Sequence, residues 1–74
     1  MKTIKLNSRG NEVKYLQHLL NMHGYILTAD GIFGKGTETA VRDFQTENGL
    51  TVDGIVGPAT WRVLDTIGGG RPLI

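Results

Sequence analysis

Residues 30–34 read DGIFG, and residues 53–57 repeat the pattern as DGIVG, 23 residues further along the chain. Each copy is followed by a run whose apolar residues have helical spacing. A second repeat lies upstream, where Val13, Leu16 and Gln17 return as Val41, Phe44 and Gln45. The sequence therefore uses one unit twice: a helix, a glycine, a short extended link and an Asp-Gly turn. Because one such unit cannot bury its apolar face alone, two copies should close into a single small core.

Length and composition favour a small compact module over a free-standing enzyme. The chain has 74 residues and no cysteine, so we expect one domain without disulfides or a thiolate metal site. A hydrophobic content of 39% can build one core between short helices, but not also a deep catalytic pocket. The formal charge is only +1, with both signs scattered along the chain. Nucleic acids and acidic membranes require a basic patch, so we expect neither as a partner.

Helical spacing of apolar residues predicts three helices. The first should run over residues 9–23, with Ser8 as its N-cap and Gly24 as its stop. The second should span residues 35–48 before Gly49, and the third should open at Pro58, where the missing N–H costs nothing. The buried faces are predicted to be Val13, Leu16, Leu19 and Leu20 in the first helix, Ala40, Val41 and Phe44 in the second, and Trp61, Leu64 and Ile67 in the third.

The predicted fold is all-α, an orthogonal bundle of three short helices with two repeated Asp-Gly turn and helix units. Residues 1–67 should form its single domain. Three consecutive glycines open residues 68–74, which we interpret either as a glycine-rich linker to a further domain or as a disordered tail. The sequence leaves both interpretations open.

The two aspartates of the turns invite comparison with the acid pair of a glycosidase. Such a pair needs two carboxyl groups about 5–10 Å apart across a sugar bond. Asp30 and Asp53 are better explained by their own turns, in which the Asp side chain bonds the nearby backbone. Gly31 and Gly54 are then the residues that take a positive φ. We therefore expect these four residues to be structural and the chain not to be a glycosidase.

Glutamine and histidine side chains have equally simple interpretations. Gln17 and Gln45 occupy equivalent positions of the repeat, and we expect their amides to bond the backbone of the Asp-Gly turns rather than a ligand. His18 and His23 lie five residues apart, so they do not share a helix face as a zinc-binding pair does; we expect both to be solvated. No metal, cofactor or catalytic residue set is predicted.

Together these residues carry a resemblance to a known family. The positions concerned are Gly10, Leu16-Gln17, Leu20, Gly24-Tyr25, Asp30-Gly31, Phe33-Gly34, Thr37, Ala40-Val41, Phe44-Gln45, Gly49-Leu50, Asp53-Gly54, Gly57, Thr60-Trp61 and Leu64. With them the chain resembles the peptidoglycan-binding-like domain, a small three-helix module attached to many bacterial and phage cell-wall hydrolases. The resemblance covers about residues 6–66, with no motif displaced. The chain departs from the family at Gly36, where a better helix former is usual, and at Asn11, where an acidic residue is common.

The resemblance implies non-catalytic binding of peptidoglycan, through either its glycan or its stem peptide. It further implies a monomer tethered to a hydrolase such as an endolysin, amidase, muramidase or peptidase, acting at the bacterial cell wall or periplasm. No apolar stretch has the length of a signal-peptide core or a membrane span. We therefore expect synthesis in the cytoplasm followed by phage lysis or dedicated export, or excision from a larger secreted parent.

Two functions of other classes are weighed against this one. The fold is similar to the inhibitory prodomain of matrix metalloproteases, but that prodomain places a cysteine on the enzyme's zinc and this chain has none. A helix-turn-helix DNA-binding domain needs several Arg or Lys on its recognition helix, whereas the third helix offers only Arg62.

The predicted binding surface is a shallow groove between the two Asp-Gly loops, each of which leads into a helix N-terminus with free N–H groups. We expect Phe33 to be the most exposed aromatic side chain, since it follows a buried Ile32, while Tyr25 is half exposed and Trp61 lies in the core. Arg62 is expected at the rim of the groove. The predicted ligand-binding residues are Tyr25, Phe33, Gly34, Thr37, Val56, Gly57, Thr60 and Arg62.

Overall fold

The computed structural model describes residues 1–66, which hold three helices and no strand. Helix α1 spans Asn11–Met22, α2 spans Lys35–Glu47 and α3 spans Pro58–Leu64. The all-α, three-helix prediction is therefore confirmed. The predicted burial of Ile67 and the predicted linker or tail, residues 68–74, lie outside the described residues. In the described chain, no helix is both long and apolar enough to pass through a bilayer.

The core is built from one apolar stripe of each helix. Its helical members are Val13, Leu16, Leu19 and Leu20 of α1, Ala40, Val41 and Phe44 of α2, and Trp61 and Leu64 of α3. Helix α1 packs against both other helices, and the Tyr15 ring stacks on Trp61 with centroids 6.0 Å apart. Burying each large aliphatic side chain contributes about 1.5–3 kcal/mol, so these stripes are what fixes the helices together.

The helix ends agree with the sequence analysis except at the start of α1. Gly24 and Gly49 have φ values of 99° and 68°, the left-handed conformation expected of helix stops. Ser8, however, is not the N-cap: Gly10 takes that position and makes no side-chain cap. The Ser8 hydroxyl instead accepts a hydrogen bond from the Lys5 backbone N–H at 3.0 Å. The prediction was wrong because that local turn competes for the hydroxyl, and α1 begins two residues later than expected.

The N-terminal segment, residues 2–10, joins the two Asp-Gly units. Ile4 pairs with Val56 through two backbone hydrogen bonds of 3.2 and 2.8 Å. Further along, the backbone of Phe33 accepts from Asn7 N–H and donates to Ser8 C=O, each at 2.9 Å. The indole N–H of Trp61 donates to the Lys2 carbonyl at 2.8 Å. No sequence pattern predicted a structural role for this segment, yet it holds both turns against one core.

Candidate functional site

The first Asp-Gly turn is held by two side chains. Asp30 Oδ1 accepts hydrogen bonds from the Ile32 backbone N–H at 3.0 Å and from the Gln17 amide at 3.1 Å. Gln17 Oε1 in turn accepts the Gly31 N–H at 2.9 Å, where the backbone has a φ of 77°. The side chain of α1 thus fixes a turn that follows it by more than ten residues.

Gln17 also connects the turn to helix α2. Its amide nitrogen lies 3.0 Å from both the Ile32 carbonyl and the Thr37 hydroxyl, so two N–H groups are shared among three acceptors. Only 1% of Gln17 is exposed. A buried amide must find its partners inside the protein, and this one does so completely.

The second turn repeats these contacts with Gln45. Asp53 Oδ1 accepts from the Ile55 N–H at 2.9 Å and from the Gln45 amide at 3.0 Å. Gln45 Oε1 accepts from the N–H groups of Asp53 and Gly54. Its amide nitrogen also reaches the Ile55 carbonyl at 3.0 Å and the Thr60 hydroxyl at 3.2 Å. The predicted bonds between the glutamines and the turns are present in both units.

Each turn borders one cleft, and the two clefts have matching walls. The first has a volume of about 260 Å³ and the second about 270 Å³. The first is lined by Gln17, Leu27, Thr28, Asp30, Ile32, Gly34, Gly36 and Thr37. The second is lined by Leu50, Thr51, Asp53, Ile55, Gly57, Pro58, Ala59 and Thr60. The linings share no residue, so the structure forms two separate clefts at the turns rather than lining one cavity with both loops.

The aspartates give each cleft a negative charge. Hydrogen bonds from the Ile32 N–H and the Gln17 amide hold the pKa of Asp30 below its usual range. For Asp53 the hydrogen bond from the Ile55 N–H is the largest cause of a lowered pKa; desolvation opposes it, and the Gln45 amide and the charge of Arg42 lower the pKa further. Both are therefore carboxylates at neutral pH. The hydrogen bonds of the described residues use Oδ1 in each case, which leaves Oδ2 to accept a donor from a ligand.

The prediction that Phe33 is exposed and Ile32 buried was wrong, because the structure has the two residues the other way round. Phe33 and Val56 are fully buried, whereas Ile32 and Ile55 are 44% and 37% exposed and line the clefts. In an extended link, side chains alternate between two sides, so a shift of one residue exchanges the buried and exposed sets. The backbone of Phe33 pairs with the N-terminal segment, which fixes its ring towards the core. Phe33 and Val56 thus cannot supply the apolar surface of a binding site.

The two isoleucines were not among the candidate site residues predicted from the sequence. A signal was available, because Ile32 and Ile55 are identical in the two copies of the turn, while the buried position holds Phe33 in one copy and Val56 in the other. If Phe33 and Val56 are taken as the buried residues of the alternating pattern, the motif places an isoleucine in each cleft.

Of the other predicted site residues, four line the clefts. Gly34 and Gly57 are half-buried at the two walls. Thr37 and Thr60 are 5% exposed, and each hydroxyl already accepts a hydrogen bond from a glutamine amide. The threonines therefore form the floor of each cleft and support the turn from below.

Tyr25 and Arg62 line neither of these two clefts. Tyr25 is half-buried as expected, and its ring lies edge-on to Phe44 with centroids 6.3 Å apart. Burial, together with the hydroxyl's hydrogen bond to Glu47, raises its pKa to about 12, so the hydroxyl stays protonated. Arg62 borders a third cleft, of about 290 Å³, beside Asn48, Val63 and Thr66. The structure does not place either residue with the turns, contrary to the predicted groove.

The histidines differ from each other. His18 is exposed as expected, but His23 is half-buried and its Nε2 donates to the Leu64 carbonyl at 2.9 Å. Its ring meets Phe44 edge-on at 5.1 Å. Among residues 1–66 no three acidic, histidine or cysteine side chains are grouped as a metal site would require.

Comparison with known proteins identifies relatives over nearly the whole chain. The family model described as "Putative peptidoglycan binding domain" matches residues 9–64. N-acetylmuramoyl-L-alanine amidase CwlL from Bacillus licheniformis is 41% identical over 68 residues, covering 88% of this chain and 19% of that protein. The chain spans about half of one curated relative and a quarter or less of the others compared.

Solved structures give the same result. The crystal structure of the Burkholderia AP3 phage endolysin matches with a TM-score of 0.85 and 44% identity, over 97% of this chain and 27% of that one. The crystal structure of the SleB N-terminal domain matches with a TM-score of 0.84 and 39% identity, over 88% of this chain and 90% of that one. The fold is therefore also found as a part of larger proteins.

Proposed function

The chain belongs to the peptidoglycan-binding domain family, and from this premise we propose that it binds bacterial peptidoglycan without cleaving it. The bound domain holds a linked cell-wall hydrolase at its substrate. The observation that carries the proposal is the family match over residues 9–64. Relatives named as an amidase and as an endolysin support the link to a hydrolase, because this chain corresponds to a fraction of each.

Tethering explains how weak binding serves a hydrolase. The clefts are shallow and small, so a single site should bind with low affinity. A linker to a catalytic domain then converts the next encounter into an intramolecular one, at an effective concentration in the millimolar range for a short flexible linker. The site of action is the cell wall, where the ligand is an insoluble polymer with many copies of each binding unit.

We place the binding surface in the two clefts at the Asp-Gly turns. Each offers an aliphatic side chain, Ile32 or Ile55, beside a carboxylate oxygen that has no partner among the described residues. Pockets that bind small molecules commonly combine apolar walls with a few placed polar groups. The buried Phe33 and Val56 are excluded, and Arg62 lies at a different cleft.

Co-sedimentation with purified sacculi tests the binding function directly. The wild-type chain should pellet with sacculi and should not shift duplex DNA in a parallel assay. The double variant Ile32→Ala and Ile55→Ala should pellet less while keeping its melting temperature within a few degrees. Val52→Ala is the matched control, since Val52 is 45% exposed and lines neither cleft. A wild-type chain that stays in the supernatant would show that the proposed function is wrong.

The non-catalytic part of the proposal has its own test. Purified chain added to sacculi should leave their turbidity unchanged, because the turn aspartates are tied to the backbone and the described residues hold no metal-ligand group. A fall in turbidity that a tag-only control does not show would contradict it.

A further inference from the structure

The two clefts differ at few positions, and one difference removes a side chain from the wall. Equivalent positions hold the same residue type in both, namely Leu27 and Leu50, Thr28 and Thr51, Asp30 and Asp53, Ile32 and Ile55, Gly34 and Gly57, and Thr37 and Thr60. In the first turn of the following helix, however, the first cleft has Gly36 where the second has Ala59. The wall of the first cleft therefore lacks a methyl group that the second cleft has at the equivalent point.

The fold does not require glycine at position 36. Its φ is not positive, and a Cβ atom built there would meet nothing within 4 Å. Gly31, by contrast, has a φ of 77° and a Cβ there would lie 3.2 Å from the Gly10 carbonyl oxygen. Glycine inside a helix costs up to about 1 kcal/mol relative to alanine. Gly36 thus weakens α2 without relieving any strain, and the empty space beside it belongs to the cleft.

We propose that Gly36 is a specificity-determining residue, which lets a ligand group lie against the first turn of α2 in the first cleft. The methyl group of Ala59 keeps the same group out of the second cleft. The first cleft is then the tighter subsite for that group. This inference rests on the proposed function, since it takes the ligand to be a unit of peptidoglycan.

The walls of the first cleft define the chemistry of that group. Asp30 Oδ2 has no partner among the described residues and can accept a hydrogen bond from a ligand, while Leu27 and Ile32 line the same cleft with aliphatic surface. An amide N–H with a methyl group next to it satisfies both. Peptidoglycan carries this arrangement in two places, the acetamido groups of its sugars and the alanyl residues of its stem peptides.

Two reciprocal substitutions in the full 74-residue chain test the proposal. Gly36→Ala should weaken binding to purified sacculi by about tenfold or more, as expected for a methyl group that blocks a fitted ligand, while raising the melting temperature. Ala59→Gly is the reciprocal variant: it should lower the melting temperature yet bind sacculi at least as tightly as the wild type, because it opens the second cleft to the same group. A Gly36→Ala variant that melts at a higher temperature and binds more weakly cannot have lost binding through unfolding.

Each other result overturns the inference in a recognisable way. Equal binding by Gly36→Ala and the wild type would show that no ligand group lies against Gly36. A lower melting temperature for Gly36→Ala would show that the glycine is structural, and an equal loss of affinity in Ala59→Gly would show that the clefts are not distinguished. If the wild type itself fails to pellet, the proposed function has failed instead.

Competition with defined fragments separates the two sources of the ligand group. Glycan strands stripped of peptide and free stem peptides are each added to the wild-type chain bound to sacculi. One of them should displace the wild-type chain and should displace Gly36→Ala only at about tenfold higher concentration. Failure of both to displace the wild type would overturn the assignment of an amide N–H beside a methyl group.

Discussion

Replacing Gln17 by leucine removes the amide that fixes the first Asp-Gly turn while keeping a similar side-chain volume in the core. The Ile32 carbonyl keeps a second partner in the Gly34 N–H, and Asp30 Oδ1 keeps the Ile32 N–H. The Gly31 N–H and the Thr37 hydroxyl, both of residues buried in the protein, lose the amide bonds at 2.9 and 3.0 Å. The variant therefore leaves two buried polar groups unsatisfied.

The expected loss of stability follows from those two groups. Each unsatisfied buried group costs about 1–3 kcal/mol, so Gln17→Leu should lower the free energy of unfolding by about 3 kcal/mol after the gain from its apolar side chain. For a domain of this size, 1 kcal/mol corresponds to about 4–8 °C, which predicts a fall in melting temperature of about 12–24 °C. Most of the stability of so small a core would then be lost.

Thermal and urea unfolding followed by circular dichroism measures this change. His18→Leu is the control, since His18 is the next residue of the same helix and is exposed; it should stay within about 0.5 kcal/mol of the wild type. Because the second turn has the same contacts, Gln45→Leu should lower the free energy of unfolding by a similar amount. A Gln17→Leu variant within 1 kcal/mol of the wild type, on the scale of one net hydrogen bond, would refute the role assigned to the amide.

Three further predictions concern the turns and the core. Gly31→Val should lower the free energy of unfolding by more than about 1 kcal/mol, and by more than Gly54→Val does. A Cβ atom at Gly31 meets backbone, whereas one at Gly54 meets flexible side chains. Thermal melts in which Gly54→Val is the less stable variant would contradict this. Phe33→Ala should cost about 3–5 kcal/mol and leave little helical signal at 25 °C, whereas an unchanged melt would show that the ring is not core. The pKa values of Asp30 and Asp53 are lowered by folding, so their contribution is present above the unfolded value and is lost as pH falls below about 4. Urea melts at falling pH should show this loss, and the double variant Asp30→Asn and Asp53→Asn should show less of it.

The sequence by itself determined the helices and their boundaries within about two residues. Apolar spacing placed the buried stripes, and glycines marked the ends of α1 and α2, where positive φ values of 99° and 68° are found. Pro58 correctly marked the start of α3. These signals are local, because a helix period or a positive φ depends on neighbouring residues along the chain. The repeat also made the partners of the two glutamines predictable, since the same residues recur at the same spacing.

The tertiary structure alone decided which side chains of the turns face the clefts. In an extended link, either Ile32 or Phe33 can be the buried residue, and the local sequence does not decide which of the two it is. The N-terminal segment makes that choice by pairing with the backbone of Phe33. Such pairing joins residues more than twenty positions apart, so no local pattern contains it. For the same reason, the separation of Arg62 from both clefts depends on how α3 packs against α1, which no local pattern contains.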